Sequence, residues 1–281
     1  MLHHFSIPVN PVQFRRDNRT FTPEDRAINE SISSIKSLSR NMAEKPYQIR
    51  NKQYTYFTDL LYDLPSSVNQ AKCEILIKLN YFIEFGKNQK LLSIHNAFQL
   101  LSHSKSIRID KTKNIPIPIE IIEKHSRKTN KTYVDCDINS ILYDYETSLS
   151  NSSLPVQQQL LAEIEFLGYP KTRYKCNPYY CFVMSIDTRY SPKIQVYYLA
   201  SGLIETYKIY KKNYFIPPDI NYPNESVLFQ TNDIISLNKI DSKHQKRKKK
   251  NKETGEIEWV ELAETEEVIS SVSMIKRFRE E

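Results

Sequence analysis

Tyr180-Cys181-Phe182-Val183-Met184-Ser185-Ile186, Ile194-Gln195-Val196-Tyr197-Tyr198-Leu199 and Leu203-Ile204-Glu205-Thr206-Tyr207-Lys208-Ile209 decide the fold of the C-terminal part. Each run is too short for a typical helix and is rich in β-branched and aromatic residues. Turn formers separate them, Tyr190-Ser191-Pro192-Lys193 after the first and Ala200-Ser201-Gly202 after the second. Two further apolar runs, Val227 to Leu237 and Ile257 to Leu262, bring the expectation to about five strands in under 100 residues. Five short strands predict a small barrel, with a small antiparallel sandwich as the structural alternative.

Upstream of Gly168 the period is helical, so the chain as a whole reads as α+β. Residues 1–25 form an extended lead-in, because Pro8, Pro11 and Pro23 interrupt any helix. Residues 26–101 are helical. Ile28, Ile32, Ile35 and Leu38 recur along one face, and Ser33 to Ser39 breaks the pattern before a second short helix with Met42 and Ala43. Thr55 to Leu64, Val68 to Phe85 and Leu91 to Leu101 are expected as helices, with Gly86-Lys87-Asn88 closing the second of them. Residues 102–153 read as an irregular, partly helical connector, with a short helix over Ile119 to His125. Residues 154–168 form a linking helix, with Pro155 in its first turn and Gly168 as its stop. Residues 169–281 are the β domain.

Between the last two strands lies Lys243-His244-Gln245-Lys246-Arg247-Lys248-Lys249-Lys250-Asn251-Lys252, seven of whose ten residues are basic. Lys and Arg total 40 against 33 Asp and Glu, so this tract holds the whole excess. It is expected to be a basic loop, residues 243–252, between two strands, with Thr254-Gly255 as a turn. A barrel with such a connection suggests the oligonucleotide-binding (OB) type, in which a strand face and adjacent loops hold single strands. Lys243, Lys246, Arg247, Lys248, Lys249, Lys250 and Lys252 are then candidate phosphate partners. The opposing reading is neutralisation, because seven glutamates lie between Glu253 and Glu267.

Composition excludes several classes. Only four glycines occur, Gly86, Gly168, Gly202 and Gly255, too few and too scattered for a Rossmann or Walker phosphate loop. Cys73, Cys136, Cys176 and Cys181 lack metal-ligand spacing, and His95, His103 and His125 lack ligand-spaced partners, so neither metal nor cofactor is expected. No apolar run approaches the roughly 20 residues that span a bilayer. A soluble chain with reduced thiols in the cytoplasm of a bacterial or phage-infected cell is the expectation.

A series of short blocks resembles the C-terminal half of bacterial and phage DNA polymerase III alpha subunits, the C-family replicative polymerases. Phe5-Ser6-Ile7-Pro8-Val9-Asn10 resembles the extended lead-in of that family, and Ser33-Ser34-Ile35-Lys36-Ser37-Leu38-Ser39 its isoleucine-lysine-glycine-x-glycine hairpin. Tyr56-Phe57-Thr58-Asp59-Leu60 is similar to an aromatic helix start. Glu74-Ile75-Leu76-Ile77-Lys78, with Phe82 and Gly86-Lys87-Asn88, is similar to its leucine-isoleucine-lysine-alanine-glycine-alanine-phenylalanine helix and sequel. Glu163-Ile164-Glu165-Phe166-Leu167-Gly168-Tyr169 resembles the short helix before the OB domain. The resemblance covers most of residues 5–100 and 160–262. It implies a helix-hairpin-helix region followed by an OB domain, which in that family hold duplex DNA behind the active site and touch the single-stranded template. Three positions depart from it: Ser37, Ser39 and Asn80 stand where the family has glycine. Glycines there let backbone N–H groups approach a phosphate, and a serine adds a Cβ in the way.

Further candidates follow. Lys36 and Arg40 flank the hairpin as phosphate partners, with Ser37 and Ser39 between them. Arg189 and Lys193 lie in a turn that resembles phage-type members of the family. Tyr197 and Tyr207 are candidate stacking residues, with core or rim packing as the alternative, and Trp259 reads as core. The family's palm carboxylates lie upstream of the matched region, and Asp135 and Asp137 resemble such a pair by spacing alone, so no catalysis is expected of this chain by itself. The expected partner is template or product DNA, with a polymerase core or sliding clamp beside it. The alternatives are a stand-alone single-strand-binding protein of DNA or RNA, and a non-catalytic adaptor for a polymerase partner.

Overall fold

The computed structural model describes residues 7–64, 68–108, 110, 115–128, 132–189, 192–210, 214, 227–250 and 257–278, excluding the side chains at 133, 246–250 and 258. The chain divides into two units, Met1–Tyr169 and Pro170–Glu281.

The first unit opens with three short strands, β1 (Val9–Asn10), β2 (Thr22–Glu24) and β3 (Ala27–Asn29), with β3 in the middle. Here the lead-in is more than extended chain: β1 runs parallel to β3, and the Asn10 amide donates to Asn29 Oδ1 at 3.0 Å. Two 3-10 turns, Ile32–Ser34 and Arg40–Met42, lead into α1 (Glu44–Gln48). There follow α2 (Phe57–Asp63), α3 (Gln70–Lys78) and α4 (Asn88–Leu101). The helix expected over Val68 to Phe85 is broken after Lys78, because Asn80 adopts a left-handed φ of 61° and turns the chain. Leu76, Ile77 and Phe82 are buried around that turn with Leu60, Leu91 and Ile94.

Residues 102–153 are no mere connector. They form β4 (Ser106–Arg108), α5 (Ile119–Lys124), β5 (Ser126–Lys128), β6 (Tyr133–Cys136) and α6 (Ile138–Ser148), with β6 between β4 and β5 in an antiparallel sheet. Ile107, Ile122, Ile138, Ile141, Leu142 and Tyr145 belong to the same hydrophobic core as the helices before them. The carboxylate of Glu146, buried on α6, accepts hydrogen bonds from the N–H groups of Phe57 and Thr58 at 2.6 and 3.1 Å and from the Thr58 hydroxyl at 2.9 Å. These are first-turn donors of α2 that its own helix cannot satisfy, so a charge on one helix caps another. Finally α7 (Val156–Leu167) ends at Gly168, whose φ of 86° gives the left-handed C-cap that the sequence predicts.

The second unit is a closed barrel of β7 (Tyr180–Asp187), β8 (Lys193–Tyr198), β9 (Ile204–Ile209), β10 (Ile234–Lys250) and β11 (Ile257–Lys276). Neighbours run β7-β8-β9-β11-β10 and back to β7, all antiparallel except β9 with β11. A five-stranded closed barrel with that crossover is compatible with the OB type and rules out the sandwich alternative. Cys181, Val183, Ile194, Val196, Ile235 and Ile269 fill its interior. Asp233, fully buried, accepts from the N–H groups of Gln230 and Phe278, each at 2.7 Å, and so pins the start of β10 to the end of the barrel.

The basic tract corrects an expectation. Lys243 to Lys250 is strand, not loop: β10 continues through it and β11 starts at Ile257, giving two strands of 17 and 20 residues. A run of lysines has low β propensity, but each residue pairs across the ladder with a partner from the glutamate-rich strand, and this cross-strand pairing overrides propensity.

Candidate nucleic-acid interface

The first region is the turn between the two 3-10 segments of the first unit. Ile32, Ile35, Leu38 and Met42 are buried beneath it, while Lys36, Ser37, Ser39 and Arg40 are exposed. Ser37 has φ of 71°, the left-handed region that glycine adopts without penalty. A serine there costs about 1 kcal/mol, whereas burying Ile35 and Leu38 on either side returns about 2 kcal/mol each. Packing therefore holds the glycine-type turn despite the side chain. The Ile35 N–H donates to Ile32 O at 3.2 Å, Leu38 N–H to Ile35 O at 3.1 Å, and Lys36 N–H to Phe166 O of α7 at 2.8 Å. Among the described residues, the N–H groups of Ser37, Ser39, Arg40 and Asn41 have no acceptor. Four unpaired donors on an exposed turn, flanked by two cations, form a concavity suited to an anion. Asn80, the other glycine replacement, is also left-handed.

Beside this turn lies an open cleft of about 570 Å³, lined by Asp17, Arg19, Thr20, Thr22, Arg40 and Asn41 among others. The sequence gave no hint of Arg19 and Arg50, whose guanidinium groups lie 3.5 and 3.7 Å from the Tyr47 ring centroid. Arg19 is committed, since it forms two 2.9 Å hydrogen bonds to the Asp17 carboxylate and holds that group below the ordinary carboxylate range. Lys36 and Arg40 make no ion pair among the described residues, which leaves their charge for a ligand.

The second region is the barrel surface. Arg189 is exposed and forks onto Asp187 at 3.1 and 2.8 Å, pushing that carboxyl down to about 2. Its charge is partly spent locally. Lys193 opens β8 and stands opposite Lys208 of β9, at an exposed edge. The two stacking candidates are corrected. Tyr197 is 1% exposed and donates its hydroxyl to Thr172 O at 2.9 Å, and Tyr207 is 6% exposed with its hydroxyl 2.8 Å from that of Tyr198. Both faces of β8 are covered, so neither ring offers a surface to a base.

Lys243 lies in β10 with its ammonium 4.8 Å from the centroid of the Tyr210 ring. Its cross-strand partner Glu266 is ion-paired to Lys208. Lys252 lies outside the described residues, as do the side chains of Lys246, Arg247, Lys248, Lys249 and Lys250. Their backbone register is fixed: Lys246 and Lys249 stand opposite Glu261 and Glu258, whereas Arg247, Lys248 and Lys250 stand opposite Val260, Trp259 and Ile257. Trp259 itself, read as core, is 61% exposed. It lies where the two strands pair only with each other, so no third strand or second sheet is there to cover it.

Asp137, one of the two spaced acids, caps α6 through Ser140 N and Oγ at 3.2 and 2.8 Å. Among the described residues no cluster of three or more His, Cys, Asp or Glu is arranged to hold a metal, and no helix is long and apolar enough to cross a membrane.

Residues 6–92 match the helix-hairpin-helix motif. The match contains both left-handed turns, at Ser37 and Asn80, and ends within α4. No curated protein matches the chain.

Proposed function

We propose that this chain is a DNA-binding segment of a replicative polymerase, similar to the C-terminal portion of the polymerase III alpha subunits. On this reading it grips template and product DNA, and nucleotide addition rests with a catalytic partner. A polymerase core or a sliding clamp is the protein it would stand beside. A helix-hairpin-helix motif followed by an OB-compatible barrel supports the reading, since both modules serve nucleic acid. The observation that carries it is the Ser37 turn. Its left-handed backbone and the unpaired N–H groups of Ser37, Ser39, Arg40 and Asn41 keep the geometry for phosphate where the glycines are gone. Lys36 and Arg40 add long-range attraction and counterion release.

A stand-alone single-strand-binding protein is the second reading, favoured by the exposed Trp259 on its basic ribbon. Fluorescence anisotropy with single-stranded, duplex and primed DNA at two salt concentrations separates the two. Preference for primed or duplex DNA with salt-dependent affinity supports a polymerase segment; exclusive single-strand binding supports the second. A chain that ignores all three DNAs at low salt contradicts both and leaves the adaptor.

A further inference from the structure

Beyond Asp241 and Val268, β10 and β11 pair with no other strand, and the ladder continues from Ser242↔Glu267 to Lys250↔Ile257. Nine residues of β10 at roughly 3.3 Å each make a two-stranded arm about 30 Å long. Such a ribbon buries no core of its own and gains nothing in stability from exposed apolar residues. Yet Ile257 is 64% exposed, Trp259 61% and Val260 40%.

The register sorts the arm's cations into two sets. Lys243, Lys246 and Lys249 stand opposite Glu266, Glu261 and Glu258, and their charge is balanced across the ladder. Arg247, Lys248 and Lys250 stand opposite the three exposed apolar residues Val260, Trp259 and Ile257, and face no acid. Because alternate residues share a face, Trp259 and Ile257 lie on one face of the ribbon together with positions 248 and 250. An aromatic and an aliphatic residue interleaved with uncompensated cations match a ligand that is apolar in its flat parts and anionic between them. Unpaired nucleotides are such a ligand, whereas in a duplex the base faces are already stacked away.

Resting on the nucleic-acid reading above, we propose that the β10–β11 arm binds a single strand, with Trp259 as the platform for an unpaired base and Arg247, Lys248 and Lys250 as phosphate partners. This assigns the barrel unit a single-strand contact separate from the phosphate turn at Ser37.

Trp259 is the sole tryptophan of the chain, so its emission reports on the arm alone. The full chain is titrated with a labelled oligo(dT) at low salt, following anisotropy of the label and tryptophan fluorescence together. The expected result is quenching that tracks the binding isotherm. Trp259→Ala is expected to weaken single-strand affinity about tenfold and Trp259→Phe much less, with duplex affinity unchanged. Saturable anisotropy with flat emission overturns the proposal and leaves the Ser37 turn as the binding site. A blue shift that grows with protein concentration without DNA also overturns it, assigning the face to a second copy of the chain. Absence of any binding overturns both this proposal and the reading on which it rests.

Discussion

The Ser37 turn and the β10–β11 arm present phosphate partners in opposite ways. The turn offers few charges, Lys36 and Arg40, but its backbone donors are fixed by a core that includes Ile32, Ile35 and Leu38. The arm offers many charges on a ribbon without a core, and its register cancels half of the described cation positions against glutamate. Counting lysines therefore ranks the two regions wrongly. A preorganised donor set loses little entropy on binding, while long side chains on a free ribbon lose more.

The sharpest way to break this contrast is to remove the support beneath the helical region. Glu146→Ala leaves the first-turn donors of α2 unsatisfied in the core and should cost about 3 kcal/mol in chemical denaturation. The counterpart on the arm, Trp259→Ala, should change stability by less than about 0.5 kcal/mol. Equal losses would mean that the arm is as built-in as the turn.

Charge comes next. Replacing Arg247, Lys248 and Lys250 together with glutamine should reduce the magnitude of the log K versus log salt slope for single strands by about 2 units. The matched triple Lys243, Lys246 and Lys249 should change it by less than about 1 unit, because those positions already stand opposite glutamate. Identical slopes for the two triples would remove register from the explanation.

Backbone effects are smaller. Ser37→Gly should stabilise the protein by about 0.5–1 kcal/mol, the relief of a left-handed serine less the added freedom of the unfolded chain. In thermal unfolding this appears as a higher Tm, and a lower one would contradict the left-handed assignment. Asn80→Gly should fall within about 0.5 kcal/mol of the parent, since asparagine tolerates that conformation.

Much of this architecture was legible in the sequence because its signals are local. Gly168 stops α7 where the helical period ends, and the runs at Tyr180, Ile194 and Leu203 became β7, β8 and β9 within a residue or so. The substitutions of glycine by Ser37 and Asn80 marked the two left-handed turns before any backbone angle was known. Signals that depend on pairing were not legible. A lysine run has no alternation of its own, so the length of β10 and the exposure of Trp259 follow only from its register with β11. Tyr197 and Tyr207 failed as stacking residues for the same reason, because strand closure covers both faces of β8. Residues 102–153 carry three-residue and four-residue strands too short for periodicity to declare.

Hydrogen–deuterium exchange over residues 35–43, with and without bound duplex, tests the central claim most directly. Capture of phosphate by the turn predicts slowed exchange at the amides of Ser37, Ser39, Arg40 and Asn41, which lack acceptors in the free protein. Unchanged exchange at those four amides, with anisotropy confirming that duplex is bound, would contradict it.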